Sequence, residues 1–395
     1  MDFKYIFIRL AQKLIIFTNY IEVKTIDDNK ITLKGNEKLL IIKGDRIGDG
    51  VWGVHFVKIL KSNFPDLQVD IICNKYNKFV FEESHEIYDN LFVLDEKPPE
   101  DFLKNFYKIG KGLFDNIRIF TKNKEFWKQL KSNKYDYIIN LTGRKYFLAS
   151  KYLGKTVGGR LGLFNWLYDY PILKHPEIGN NTHVINQWLG KFTNIDKKLG
   201  IVSNQISGGK KVILFIGGKQ PGKLSCEFYK NLLDGLKKNN IETVTLDDEP
   251  NEKGNYLLEK NGNGFYVNNV SLKEFLKNYS LFIGIDGGVI HYVSNYIPTL
   301  SFYICTNYKI AHPFCGQLFE NQYIDEVRFY KTKLGKNFLI SSEFKCLGCF
   351  KIGCKLQRCK QSLDKKWEIV IKEIKSILKA PLEETKETLK NLKNN

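Results

Sequence analysis

The sequence is short of acidic residues: 43 Asp and Glu stand against 61 Lys and Arg in 395 residues, a formal net charge of +18. The imbalance points to a polyanionic partner, whether nucleic acid, an anionic membrane face or a phosphorylated substrate, unless a Lys-rich codon bias raises lysine everywhere. Internal repeats, heptads and low-complexity tracts are also missing. So is any long run free of charge. The most apolar segment, residues 3–21, is broken by Lys4, Arg9 and Lys13, which makes a bilayer crossing costly, and no small-residue cleavage site follows it as a signal peptide would require. It suits an amphipathic helix with Phe3, Ile6, Phe7, Leu10, Leu14 and Phe17 on one side, lying on a membrane surface or on the body of the protein. The expectation is a cytoplasmic protein able to sit peripherally at the inner membrane face.

Several nucleotide signatures are absent as well. Without G-x-G-x-x-G a nicotinamide enzyme is disfavoured, and without G-x4-G-K-[ST] there is no P-loop. No zinc-finger, helix-turn-helix or RNA-recognition aromatic motif appears, and the basic residues are dispersed, which weighs against a nucleic-acid-binding protein. Of eight cysteines, Cys73, Cys226, Cys305 and Cys315 are scattered. Cys346, Cys349, Cys354 and Cys359 form C-x2-C-x4-C-x4-C among basic neighbours. Those four thiols can be read as a structural zinc site or as reduced packing cysteines, since a second C-x2-C pair is lacking.

What is present reads as a folded chain, with 43% hydrophobic and 14% aromatic residues, long enough for two domains. Short β-rich runs alternate with helical patterns. Strands are predicted at Lys38–Lys43, Gln68–Cys73, Leu91–Leu94 and Asp136–Leu141, then at Lys211–Ile216, Thr243–Leu246, Leu281–Ile285 and Thr299–Cys305. Helical patterns fall at about 51–62, 101–132, Cys226–Lys238, Lys273–Asn278, after Gly288, and at Lys365–Leu378. Nearly all-apolar strands separated by helices imply parallel sheets buried on both faces. The expected architecture is α/β: an extension at 1–37, a doubly wound domain at 38–200, a Gly/Ser-rich linker at 201–210, a second doubly wound domain at 211–360, and a terminal helix with a charged tail at 361–395. The two domains are expected to face a cleft, with ligands at the carboxyl ends of the strands.

Three segments carry chemistry. In Lys43-Gly44-Asp45-Arg46-Ile47-Gly48-Asp49-Gly50, the chain turns out of a strand into a helix, and Asp49 is either a general base on a rigid element or an N-cap of that helix. In Ile285-Asp286-Gly287-Gly288-Val289-Ile290-His291, two glycines open a helix so that the N–H groups of Gly287, Gly288 and Val289 can approach an anion, with His291 one turn in. In Gly217-Gly218-Lys219-Gln220-Pro221-Gly222-Lys223, glycines and two lysines at a strand's carboxyl end suit a diphosphate, or form an exposed loop.

Taken together these segments resemble the family-9 glycosyltransferases, whose best-known members are heptosyltransferases of lipopolysaccharide biosynthesis. The resemblance runs over most of residues 38–380: KLLIIKGDRIGDGVWGVHFVKIL, YDYIINLTG at Tyr135–Gly143, ILFIGGKQPGK, and most specifically the block Asn268–Tyr303, NNVSLKEFLKNYSLFIGIDGGVIHYVSNYIPTLSFY. The cysteine-bearing end, CLGCFKIGCKLQRCKQSLDKKWEIVIKEI, is also similar. The resemblance implies a GT-B fold of two Rossmann-like domains facing a cleft, with the C-terminal helix crossing back to the first domain. It implies an inverting transfer of a heptose-like sugar from a nucleotide-diphosphate sugar to a lipopolysaccharide-type or other glycan or glycolipid acceptor, without metal or other cofactor. By the same resemblance Asp49 is the base, with Arg46 and His55 on the acceptor side. Asp286, Gly287, Gly288, Val289 and His291 meet the donor, Lys223 or Lys219 neutralises its diphosphate, and the Asp247-Asp248-Glu249 run, represented by Asp248 and Glu249, meets the nucleoside. The pattern departs at Leu224-Ser225-Cys226 after Lys223, at Gly287 where Ser or Thr is common, at His55 where Pro is frequent, and in the first 37 residues. The competing readings are a catalytically inactive sugar-nucleotide-binding member and a basic nucleic-acid-binding protein.

Overall fold

A computed structural model describes residues 30–95, 109–142, 146–158, 168–172, 183–196, 211–217, 224–247, 264–266, 272–304, 306–314, 318–324, 327–332, 337–342 and 358–379. The chain divides into two compact units, Met1–Gly200 and Ile201–Asn395.

The first unit is a six-stranded sheet in the order β3-β2-β1-β4-β5-β6, parallel throughout. Its strands are β1 (Lys38–Ile42), β2 (Gln68–Asn74), β3 (Asn90–Leu94), β4 (Tyr137–Asn140), β5 (Thr156–Gly158) and β6 (Tyr170–Pro171). Leu39, Leu40, Ile41 and Ile42 in β1 are all fully buried, as a central parallel strand covered on both faces requires. Its helices are α1 (Ile47–Asn63), α2 (Lys78–Glu82), α3 (Ile109–Lys122), α4 (Lys124–Lys131), α5 (Phe147–Leu153) and α6 (Val184–Leu189). α1 is buried nearly all round, from Gly48 to Leu60, so it has no clear polar face and reads as a core helix. On the sheet's other side Trp127, Leu130, Tyr146 and Leu153 pack with Leu40, Ile42, Ile72 and Ile138. Residues 30–37, counted with the extension on sequence grounds, belong to this unit: Ile31 and Leu33 are buried, and Ile31 exchanges backbone hydrogen bonds with Lys191 and Thr193. The amphipathic segment 3–21 lies outside the described residues.

The second unit is an eight-stranded sheet in the order β12-β13-β14-β11-β10-β7-β8-β9. β7 (Lys211–Phe215), β8 (Glu242–Asp247), β9 (Gly264–Tyr266), β10 (Leu281–Ile285) and β11 (Thr299–Tyr303) run parallel, and β14 (Asn337–Ser342) joins β11 in parallel. β12 (Leu318–Ile324) and β13 (Val327–Thr332) then extend the edge as antiparallel neighbours. The helices are α7 (Cys226–Lys238), α8 (Leu272–Leu276), α9 (Gly288–Val293), α10 (Tyr308–Ala311), α11 (Arg358–Asp364) and α12 (Trp367–Lys379).

The terminal helix α12 buries Val370, Ile371, Ile374 and Ile377 in the second unit's core with Phe228, Leu232 and Leu236 of α7. The physical reason is shape: α7 presents Gly235 at the crossing, and a Cβ there would run into Ile371 Cδ1, so the two helices approach over a glycine.

Candidate active site

In the first unit, the carboxyl ends of β1 and β4 and the start of α1 bring together a buried charge cluster. The chain leaves β1 at Lys43, which is 1% exposed. The Lys43 ammonium donates to Asp45 Oδ2 at 2.6 Å and to the Leu141 carbonyl at 2.9 Å, and lies 4.9 Å from the centre of the Trp188 ring. Asp49 Oδ1 is 3.7 Å from the same ammonium, with the Asp49 side chain 27% exposed.

Asp49 is not the N-cap of α1. Arg46 holds that position in extended conformation without a side-chain cap, and Asp49 sits in the first helical turn, where a carboxylate also suits the helix dipole. The turn around it is tightly braced. Gly44 N–H donates to Thr142 Oγ1, Asn77 Nδ2 donates to the Lys43 carbonyl, and Asn74 Nδ2 donates to the Asp45 carbonyl. A Cβ on Gly44 would lie 2.8 Å from the Tyr146 hydroxyl, and one on Gly53 would lie 2.9 Å from Lys43 Cγ. Arg46 is exposed, whereas His55 is buried within α1 and therefore does not form part of an open surface. Trp52, one turn after Asp49, meets His183 edge to face at 5.7 Å.

In the second unit, β10 ends at Ile285 and the chain passes through Asp286 into α9. Asp286 N–H donates to the Phe302 carbonyl, which ties the turn to β11. Asp286 Oδ1 lies 3.4 Å from His291 Nε2, so the two polar groups predicted from sequence are brought together, His291 buried and Asp286 partly open. Gly287, Gly288 and Val289 are partly exposed, and a Cβ on Gly287 would meet nothing within 4 Å. The backbone N–H groups at the opening of α9 have no intrahelical acceptor, which leaves them for an anion or water. At the end of β8, Asp247 is fully buried. Lys219, Lys223, Asp248 and Glu249 lie outside the described residues, as do Cys346, Cys349 and Cys354. Cys359 is partly buried against the second unit's core. Among the described residues no group of three or more His, Cys, Asp or Glu is placed to hold a metal ion, and no helix is long and apolar enough to cross a membrane.

Sequence reasoning missed Lys43 and Asp45 as members of the site. A lysine directly after the apolar run Leu39–Ile42 of a parallel strand was the available signal, because such a strand end is buried and a cation there needs partners.

No protein-family model and no curated protein matches the chain. Solved structures do. The heptosyltransferase WaaC of E. coli with ADP is 14% identical, with a TM-score of 0.52 over 70% of this chain and 90% of its own. A glycosyl transferase family 9 protein from Veillonella parvula is 16% identical, with a TM-score of 0.56 over 72% of this chain and 85% of its own. The E. coli ADP-heptose lps heptosyltransferase II is 14% identical, with a TM-score of 0.54 over 86% of this chain and 98% of its own. This likeness shows the fold: two Rossmann-like α/β units of the GT-B type.

Proposed function

We propose that the chain is a family-9-type glycosyltransferase that moves a sugar from a nucleotide-diphosphate donor to a glycan or glycolipid acceptor with inversion. The observation that carries this reading is a partly exposed carboxylate on a braced strand-to-helix turn, Asp49, in a GT-B-type unit whose sister unit carries the Asp286–His291 pair at the opening of a helix. The similarity to WaaC with ADP and to the ADP-heptose lps heptosyltransferase II supports the donor class.

In this reading Asp49 accepts the acceptor hydroxyl's proton as the new bond to the anomeric carbon forms. The bond from that carbon to the diphosphate oxygen breaks, and the electron pair leaves on the diphosphate. The transition state is oxocarbenium-like, so positive charge develops on the sugar while negative charge grows on the leaving group. The N–H groups at Gly287, Gly288 and Val289 and the side chain of His291 meet that negative charge, with Lys223 or Lys219 as the cation. Asp286, beside His291, orients the imidazole and accepts from the donor sugar's hydroxyls. The net charge of +18 suits a diphosphate donor and an anionic glycolipid acceptor presented at the inner membrane face. A heptose-like sugar is the proposed cargo.

The test begins with a thermal-shift screen against nucleotide sugars, followed by Asp49→Asn assayed with the donor it identifies. The variant should keep the donor-induced stabilisation and lose transfer. Transfer at the wild-type rate would remove Asp49 from the mechanism, and no stabilisation by any nucleotide sugar would remove the donor class.

A further inference from the structure

A lysine ammonium buried to 1% exposure needs a reason, because taking it out of water costs several kcal/mol before any partner is counted. Lys43 has partners on several sides. Asp45 and the Leu141 carbonyl take its short hydrogen bonds, and the Trp188 face flanks it. Its backbone is held too: the Lys43 N–H donates to Ile72, and its carbonyl accepts from Asn77. Gly53 on α1 leaves the space its stem occupies. The ammonium is therefore fixed without any help from Asp49.

As a device for stability alone the arrangement is poor. A buried Lys–Asp pair is often matched or bettered by apolar residues of similar volume. The third group explains it better. Asp49 Oδ1 stands 3.7 Å from the ammonium, beyond a direct hydrogen bond but within strong electrostatic range, and the Asp49 side chain is the open member of the cluster.

We propose that Lys43, anchored by Asp45, is a positioning residue for Asp49: its fixed charge holds Oδ1 inward and leaves Oδ2 turned out for the acceptor hydroxyl. This rests on the reading of Asp49 as the acceptor base. Asp45 has a separate part, that of the counter-ion that anchors the lysine. Its 2.6 Å contact keeps Lys43 from closing onto Asp49 as a tight ion pair, which would draw charge from the carboxylate and weaken it as a base.

The experiment uses the full chain. Lys43→Met alone leaves Asp45 buried without its cation and risks unfolding, so the informative variant is the double K43M/D45N, which removes both charges together. It should melt close to the wild type and keep the donor-induced thermal shift. Its kcat should fall on the order of 100-fold with little change in donor KM, and its crystal structure should show the Asp49 carboxylate displaced. Lys43→Arg, which keeps the charge, should recover part of the lost kcat. A double variant with wild-type kcat and an unmoved Asp49 would overturn the proposal and leave Lys43 a structural residue. If the wild type transfers sugar from no nucleotide donor, the transferase reading has failed; the position of Asp49 in the double variant still decides whether Lys43 holds it.

Discussion

Substituting Gly53 by alanine sets two effects of opposite sign against each other. Gly53 lies inside α1, where alanine is favoured over glycine by about 1 kcal/mol in helix propensity. Taken alone, that would make the variant more stable. The added methyl, however, would lie 2.9 Å from Lys43 Cγ and 3.4 Å from Phe81 Cζ. The first of these is closer than carbon atoms approach without something moving. Lys43 has little freedom to give way, since its backbone is laddered to β2 and its ammonium is tied at 2.6 and 2.9 Å. Overpacking of this kind costs roughly 1–3 kcal/mol, so the net expectation is a loss of about 1 kcal/mol. With an m-value of about 2 kcal/mol/M, that lowers the urea midpoint of the first unit by about 0.5 M, read by tryptophan fluorescence. The shift of the lysine stem should also disturb Asp49, so transfer should fall by more than the stability loss explains. A midpoint that rises, as helix propensity alone demands, would refute the claim that Lys43 is rigidly held.

Two further outcomes follow from the second unit. Glu373 is buried on the inner side of α12, and burial holds its carboxyl above the usual carboxylate range, with Lys372 partly countering. The folded state thus favours the protonated form, so this residue's contribution is intact at low pH and is lost as pH rises from about 4.5 through the folded-state value. Glu373→Gln should therefore melt higher than the wild type at pH 8 and show no such gain at pH 4, by calorimetry; equal gains at both would show that the carboxyl's charge is not the cause. At Gly287 the backbone is extended, with φ of 170°, and a Cβ would meet open space, so Gly287→Ser should change stability by less than about 0.5 kcal/mol. If the donor's phosphate binds at the opening of α9 as proposed, the added hydroxyl offers it a further hydrogen-bond donor, so the thermal shift with the identified nucleotide sugar should grow.

Much of the fold was legible in local pattern. Runs such as Leu39–Ile42 and LFIGI are apolar at every position, and only a parallel strand covered on both faces buries them completely. The β12–β14 edge was not legible, because its strands carry Lys, Glu and Asn among the apolar residues, and their pairing is set by the neighbouring antiparallel register. The short strands β5, β6 and β9 escaped for a related reason: two or three residues carry too little periodicity to be read. Asp49, Asp286 and His291 were legible because glycine-marked turns announce where a parallel strand delivers side chains.

By itself the sequence determined that the chain folds as two α/β halves, that it lacks the signatures of a nicotinamide enzyme and a P-loop protein, and that two carboxylates follow strands at glycine turns. Tertiary structure alone decided what surrounds them. Lys43 looks like a solvent-seeking strand end, yet its ammonium is held by a carbonyl 98 residues away and by a carboxylate two residues on. The terminal helix could have covered either unit by its own amphipathic pattern, and the glycine on α7 admitted it to the second. The physical reason is common to both. A periodic pattern states that a surface must be covered, whereas charge neutralisation and close packing depend on which distant atoms arrive to do it.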